Sequence, residues 1–136
     1  HWARRSVPYD GIVDLLTALT QRRLRLAVLS NKPDDFTPRV VRHFFPKVPF
    51  EAVLGAGHDV PRKPDPGGAL EIARRFGIAP AEFLYIGDSG TDMKTAVSAG
   101  MFPVGVLWGF RDEPELTATG ARLLLQHPSD LLRRLP

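Results

Sequence analysis

The chain has 136 residues, 43% hydrophobic and 24% charged, enough for one domain with a buried core and too few for two. It holds no cysteine, which removes disulfide scaffolds, thiolate zinc sites and cysteine nucleophiles. The four histidines (His1, His43, His58, His127) show no metal-ligand spacing, the net charge of +3 makes no nucleic-acid surface, and no apolar run approaches the ~20 residues of a membrane span.

The chain opens on His1, and no apolar stretch follows HWARRSV as it would in a signal peptide. The expectation is therefore a trailing portion of a longer protein. The absence of cysteine and of a targeting segment reads as cytoplasmic. Ile12, Leu15, Leu16 and Leu19 fall on one helical face, and that helix should end at Arg22 and Arg23. LRLAVL, residues 24–29, reads as a buried strand that stops at Ser30-Asn31-Lys32-Pro33. Thr37 as N-cap and Pro38 as first helical residue open a helix with Val40, Val41, Phe44 and Phe45 on one face.

Residues 50–55, FEAVLG, predict the next strand. A loop through Lys63-Pro64-Asp65-Pro66 leads to a helix with Ala69, Ile72, Ala73 and Phe76 on one face, ended by Gly77. FLYIG, residues 83–87, is a strand opening into Asp88-Ser89-Gly90-Thr91-Asp92, then a helix that ends at Gly100. PVGVLWG, 103–109, and ARLLLQ, 121–126, are further strands, and Ser129 should cap a short last helix. Apolar strands without alternation, each followed by a helix, predict an α/β fold with a parallel sheet covered on both faces.

In such sheets ligands gather beyond the carboxyl ends of the strands, and three polar clusters fall there. Asp88 and Asp92, with Gly87 and Gly90 freeing the backbone between them, can share a hard cation, and oxygen ligands with retained waters describe Mg²⁺. Without a function they are a turn residue and a helix-dipole partner, with Ser89 as N-cap. Lys63 sits in a loop stiffened by two prolines and suits a phosphate or carboxylate; alone it would be a solvated lysine. Ser30 and Asn31 offer a hydroxyl, an amide and backbone N–H groups as an anion cradle, or simply a helix-entry turn. His58 and Asp59 lead towards Lys63 and read as loop-surface groups. Trp108, near a strand end, reads as packing.

Taken in order, LAVLSNKP, RKPDP and YIGDSGTDMKTAVSAGM resemble the second, third and fourth motifs of the haloacid dehalogenase (HAD) superfamily, and their separations fit. The wording SNKP, RKPDP and VGVLWGF is most similar to its phosphoglycolate phosphatases. PYDGI, residues 8–12, resembles the return of the chain from a helical cap. The resemblance implies that residues 1–136 are one Rossmann-like core domain, with 1–9 left from the cap-to-core linker. It implies a small phosphorylated metabolite as substrate, Mg²⁺ as cofactor and an aspartyl-phosphate intermediate. Ser30 and Asn31 would hold the phosphoryl group, and Lys63 would neutralise its charge. Asp88 would bind Mg²⁺ directly, and Asp92 would support the metal through water or orient Lys63. Related activities (pyrophosphatase, nucleotidase, β-phosphoglucomutase-like transfer) stay open, as does a non-catalytic phosphate- or metal-binding module.

The family's first motif, Asp-x-Asp-Gly-Thr after an apolar strand, is absent from the chain. It supplies the nucleophile and the acid–base aspartate. Asp10-Gly11-Ile12-Val13-Asp14 has a superficial likeness, but no apolar strand precedes it and it runs into a helix. The resemblance therefore implies an incomplete sheet whose two halves face each other across a gap. The chain alone is expected to be inactive, its partner being the missing N-terminal segment of the same protein.

Overall fold

A computed structural model describes residues 11–33, 35, 37–57, 60–109 and 112–135. His58, Asp59 and the expected linker at residues 1–9 lie outside the described residues. The elements in chain order are α1 (Ile12–Gln21), β1 (Leu26–Pro33), α2 (Thr37–Phe44), β2 (Phe50–Ala56), α3 (Gly67–Phe76), β3 (Leu84–Gly87), α4 (Gly90–Ala99), β4 (Phe102–Val106), α5 (Glu113–Ala118), β5 (Leu123–Leu125) and α6 (Asp130–Arg134). A 3₁₀ turn, Pro80–Glu82, leads into β3.

Every strand pair is parallel, as the apolar strands predict. Among the described residues the strands form two sheets, β1-β2 and β3-β4-β5, with no hydrogen-bonded pairing between them. The gap expected from the resemblance is present.

Several boundaries differ from expectation. Strand β1 does not stop at Ser30: it runs on to Pro33, which pairs with Ala56 across an irregularity in the ladder. Thr37 is the first residue of α2, and its hydroxyl donates to the carbonyls of Lys32 and Pro33. Strand β4 ends at Val106, so Leu107, Trp108 and Gly109 form a turn. Ser129 occupies the N-cap of α6 without a capping bond; Asp130 instead accepts from the N–H groups of Gln126 and His127. Helix α5 was not legible from periodicity, being too short to show any. Its signals are Asp112 as N-cap and a proline in its first turn. The stops at Gly77 and Gly100 are as expected, with φ values of 65° and 76° that glycine adopts without strain.

Three packed groups hold these elements. Leu15 and Leu19 of α1 meet Val104, Val106, Leu125 and Leu131, covering one face of β4 and β5. Ile72 and Phe76 of α3 pack with Ala52, Leu54 and Val60, covering the β1-β2 sheet. The other face of α3 presents Ala69 and Ala73 to Ala96, Ala99 and Met101. Small side chains let two helices approach closely where larger ones would hold them apart. Leu29 and Phe83 touch both of the last two groups, so α3 joins the two sheets.

Ala96 is fully buried at that joint. Ala96→Leu is expected to cost about 1–3 kcal/mol by overpacking, measured by urea denaturation. An unchanged midpoint would show that the α3–α4 approach is not tight.

Candidate functional site

The edges of β1 and β3 that carry no partner strand line a common cleft of about 490 Å³. Its walls are apolar: Leu26 to Leu29 from β1, Leu84 to Ile86 from β3, and Ile12, Leu15, Leu16 and Leu19 from α1. Leu84 and Ile86 are 44% and 41% exposed, high values for large apolar residues on a strand. Trp108 lines the cleft and packs on the α1–β4 core, as a packing residue should.

The carboxyl ends of the two sheets meet at the polar part of this cleft, where Lys63, Asp88 and Asp92 all line it. Lys63 Nζ stands 2.7 Å from Asp92 Oδ1, with side-chain exposures of 14% and 10%. Lys63 follows β2 and Asp92 lies in α4, so the ion pair spans the two sheets. Asp92 Oδ2 accepts from the backbone N–H of Asp88 at 3.2 Å and from the Ser89 hydroxyl at 3.1 Å. Ser89 Oγ in turn accepts from the Asp92 N–H, a reciprocal N-terminal cap. Both oxygens of Asp92 are thus engaged, and capping alone would not require the bond to Lys63.

Asn31 turns its side chain on the same loop. Its Oδ1 accepts from the Lys63 N–H at 2.7 Å, and its Nδ2 donates to the Lys63 carbonyl at 3.4 Å. The amide therefore clasps the Lys63 backbone, which fixes where the ammonium group emerges. Ser30 joins this group only through the chain: its Oγ accepts from the Lys32 N–H at 3.1 Å. The Lys63, Asp88 and Asp92 side chains are brought to one place. Asn31 supports the first of them from behind, and Ser30 lies beside Leu29, which lines the cleft.

Asp88 makes no comparable ion pair among the described residues. Burial, and next the charge of Asp92, hold its carboxyl above the ordinary carboxylate value. Tyr85, on the same strand, buries its hydroxyl with no hydrogen-bond partner among the described residues. Burial, reinforced by the Asp92 charge, raises its phenol, so it stays protonated. Two glycines are required by close approach. A Cβ on Gly87 would run into the Asp92 side chain, and one on Gly109 would stand 2.6 Å from the Asp88 Cβ. Gly109 and Glu115, whose carboxylate accepts from the Gly90 N–H, were not singled out by sequence. Glu115 had a faint signal in the spacing of Asp112 and Glu115 around the α5 start.

A carboxyl with a raised folded-state pKa favours the folded chain while protonated, and that stability is lost as pH rises through the folded value. Without metal, Asp88→Asn should raise the melting temperature at pH 7 by a few degrees, the gap closing as pH falls through the carboxylate range. Equal melting temperatures at pH 7 would show no strain at Asp88. Gly87→Ala should cost about 1–3 kcal/mol by overpacking against Asp92, and a melting temperature equal to wild type would contradict that close approach.

Known proteins resemble the chain in sequence and fold. Residues 2–100 match the model of the haloacid dehalogenase-like hydrolases. Phosphoglycolate phosphatase of Escherichia coli (strain K12) is 32% identical over 127 residues, 93% of this chain and 50% of that protein. N-acetylmuramic acid 6-phosphate phosphatase of Pseudomonas aeruginosa is 31% identical over 133 residues, 97% of this chain and 59% of that one. A crystal structure from Lactobacillus delbrueckii subsp. bulgaricus, provisionally assigned as a phosphoglycolate phosphatase, superimposes with a TM-score of 0.88 at 35% identity, over 94% of this chain and 53% of that one. The chain thus spans about half the length of the curated relatives it matches. With its parallel α/β core and the family match over most of its length, the chain belongs to the haloacid dehalogenase-like hydrolases.

Proposed function

We propose that this chain supplies the phosphate- and metal-binding portion of a Mg²⁺-dependent phosphatase, acting on phosphoglycolate or a similarly small phosphate ester. The observation that carries the reading is the ion pair of Lys63 with Asp92 beside the half-buried Asp88, at the carboxyl ends of two parallel sheets. The phosphatase relatives support the reaction class.

The donor set fits Mg²⁺. Asp88 is an oxygen ligand destabilised by burial and by the charge of Asp92, so a cation would relieve it. The described residues hold no group of three side chains of metal-ligand type. That suits an ion which keeps several waters and takes one or two carboxylates. Asp88 would hold it directly, and Asp92, with both oxygens engaged, would hold Asp88 and Lys63 in place. When bound, Mg²⁺ supplies positive charge against the phosphate oxygens.

The chain's own groups do the rest. Lys63 neutralises phosphate charge as a fixed ammonium, its loop clasped by Asn31. Ser30, whose oxygen already accepts from Lys32, keeps its O–H to donate to a phosphate oxygen, and the Asn31 backbone N–H joins it. Phosphoryl transfer depends mainly on such positioning and neutralisation. The aspartyl nucleophile would come from the N-terminal segment of the same protein, as an apolar strand placed between β1 and β3. The unpaired strand edges and the exposure of Leu84 and Ile86 support that placement.

Two experiments test the reading. The purified chain alone should release no phosphate from phosphoglycolate with Mg²⁺; measurable release would overturn the need for a second segment. Joined behind the N-terminal half of the Escherichia coli relative, it should release phosphate, and Lys63→Ala or Asp88→Asn should lower kcat by about 100-fold or more. A folded chimera that binds Mg²⁺ and inorganic phosphate without turning over phosphoglycolate or other small phosphate esters would favour a binding module instead.

A further inference from the structure

The turn from Asp88 into α4 is held from outside by a residue distant in sequence. Glu115 Oε2 accepts a hydrogen bond from the Gly90 N–H at 2.8 Å. That N–H is one of the donors a helix start leaves without an intrahelical partner. Gly90 lies two residues after Asp88 and two before Asp92 in the sequence, so the bond pins the backbone between the two acidic groups.

Glu115 is itself fixed. Asp112 caps its N–H at 3.1 Å, and Thr119 Oγ1 donates to its carbonyl at 2.7 Å. Leu116, the next residue, is fully buried and anchors α5. The fit is close: a Cβ on Gly90 would meet Thr119 Cγ2 at 3.0 Å and Glu115 Oε2 at 3.2 Å. Gly109 in turn abuts Asp88. The Asp88 turn is therefore held between two segments that follow β4.

We propose that Glu115 is a positioning residue: through Gly90 it fixes the Asp88 turn, and the cation affinity of the site depends on it although it does not touch the cation. This rests on the reading of Asp88 as a Mg²⁺ ligand. What acts is the accepting oxygen at Gly90, not the negative charge.

The test is calorimetric titration of the 136-residue chain with MgCl₂ at fixed pH and ionic strength, alongside the amide proton shift of Gly90 by NMR. Glu115→Ala should weaken Mg²⁺ binding by about tenfold or more, as loss of a supporting partner does at metal sites. Glu115→Asp, which keeps the charge but shortens the reach, should lose as much. Glu115→Gln, which keeps an oxygen at the same distance, should bind within about threefold of wild type and keep the Gly90 shift. Binding unchanged in the Ala variant, or Gln losing as much as Ala while Asp retains affinity, would overturn the proposal in favour of a direct or purely charge effect. No saturable binding by wild type, with the Gly90 shift still following the Ala and Gln variants, would overturn the Asp88 metal reading and this proposal's metal consequence with it. A Gly90 shift indifferent to all three substitutions would overturn the tether alone.

Discussion

The Lys63–Asp92 ion pair is the constraint on which the candidate site depends, because its two members follow strands of different sheets. Taking both charges largely out of water costs free energy that their attraction need not repay in full, so such a pair is weak evidence of stability. Its value is geometric. Lys63 can reach Asp92 only if the loop after β2 and the start of α4 lie at a fixed separation. Two further contacts enforce that separation: Asn31 clasps the Lys63 backbone, and the alanine faces of α3 and α4 set the distance between the sheets. Core packing thus determines the position of a charge. A core built for bulk alone would place larger residues than Ala69, Ala73 and Ala96 there.

How much of this was legible in sequence follows from the range of each interaction. The apolar strands, the helix faces on Leu15, Leu19, Ile72 and Phe76, and the glycine stops are local patterns, and they matched. Strand β1 outran its expected end because the polar Ser30-Asn31-Lys32 looked like a turn, while pairing of Pro33 with Ala56 across a ladder irregularity extends it. Local chemistry named the residues but not their partners. Lys63, Asp88 and Asp92 were candidates from their places after strands. That Asn31 would spend its amide on the Lys63 backbone, 32 residues away, could not be read from either segment. Helix α5 was missed for a related reason. With six residues it cannot display a period, and only its capping residues gave notice of it.

Among the described residues the strands separate into two sheets, each ordered by its own local patterns. Each half has its own strands, helices and apolar groups, and α3 joins them through residues shared between packed groups. Among the described residues neither facing edge is paired, and Leu84 and Ile86 of β3 stay open to the cleft. An unpaired edge is a row of hydrogen-bonding groups, and in soluble proteins it is ordinarily blunted by charge or covered. Here the edge of β3 is Leu84-Tyr85-Ile86-Gly87, with no charge along it, which is the pattern of a strand built to have neighbours on both sides.

The charges at the end of that cleft have the same unfinished character. Lys63 offsets one of two carboxylates, so Lys63, Asp88 and Asp92 together carry one net negative formal charge. A phosphate ester would be repelled by that set. One divalent cation at Asp88 would reverse its sign, leaving one net positive charge beside an ammonium group already fixed in direction. On the proposed reading, electrostatics would set the order of binding: the acidic pair would favour a cation first and an anion only afterwards. Asp88 could not be better paired within the chain without losing this property. A second lysine beside it would satisfy the carboxylate and remove the reason for a metal to bind. On the proposed reading, a half-buried Asp88 beside Asp92 would favour a cation at the turn between β3 and α4, a turn that Gly109 meets at Asp88 and Glu115 at Gly90.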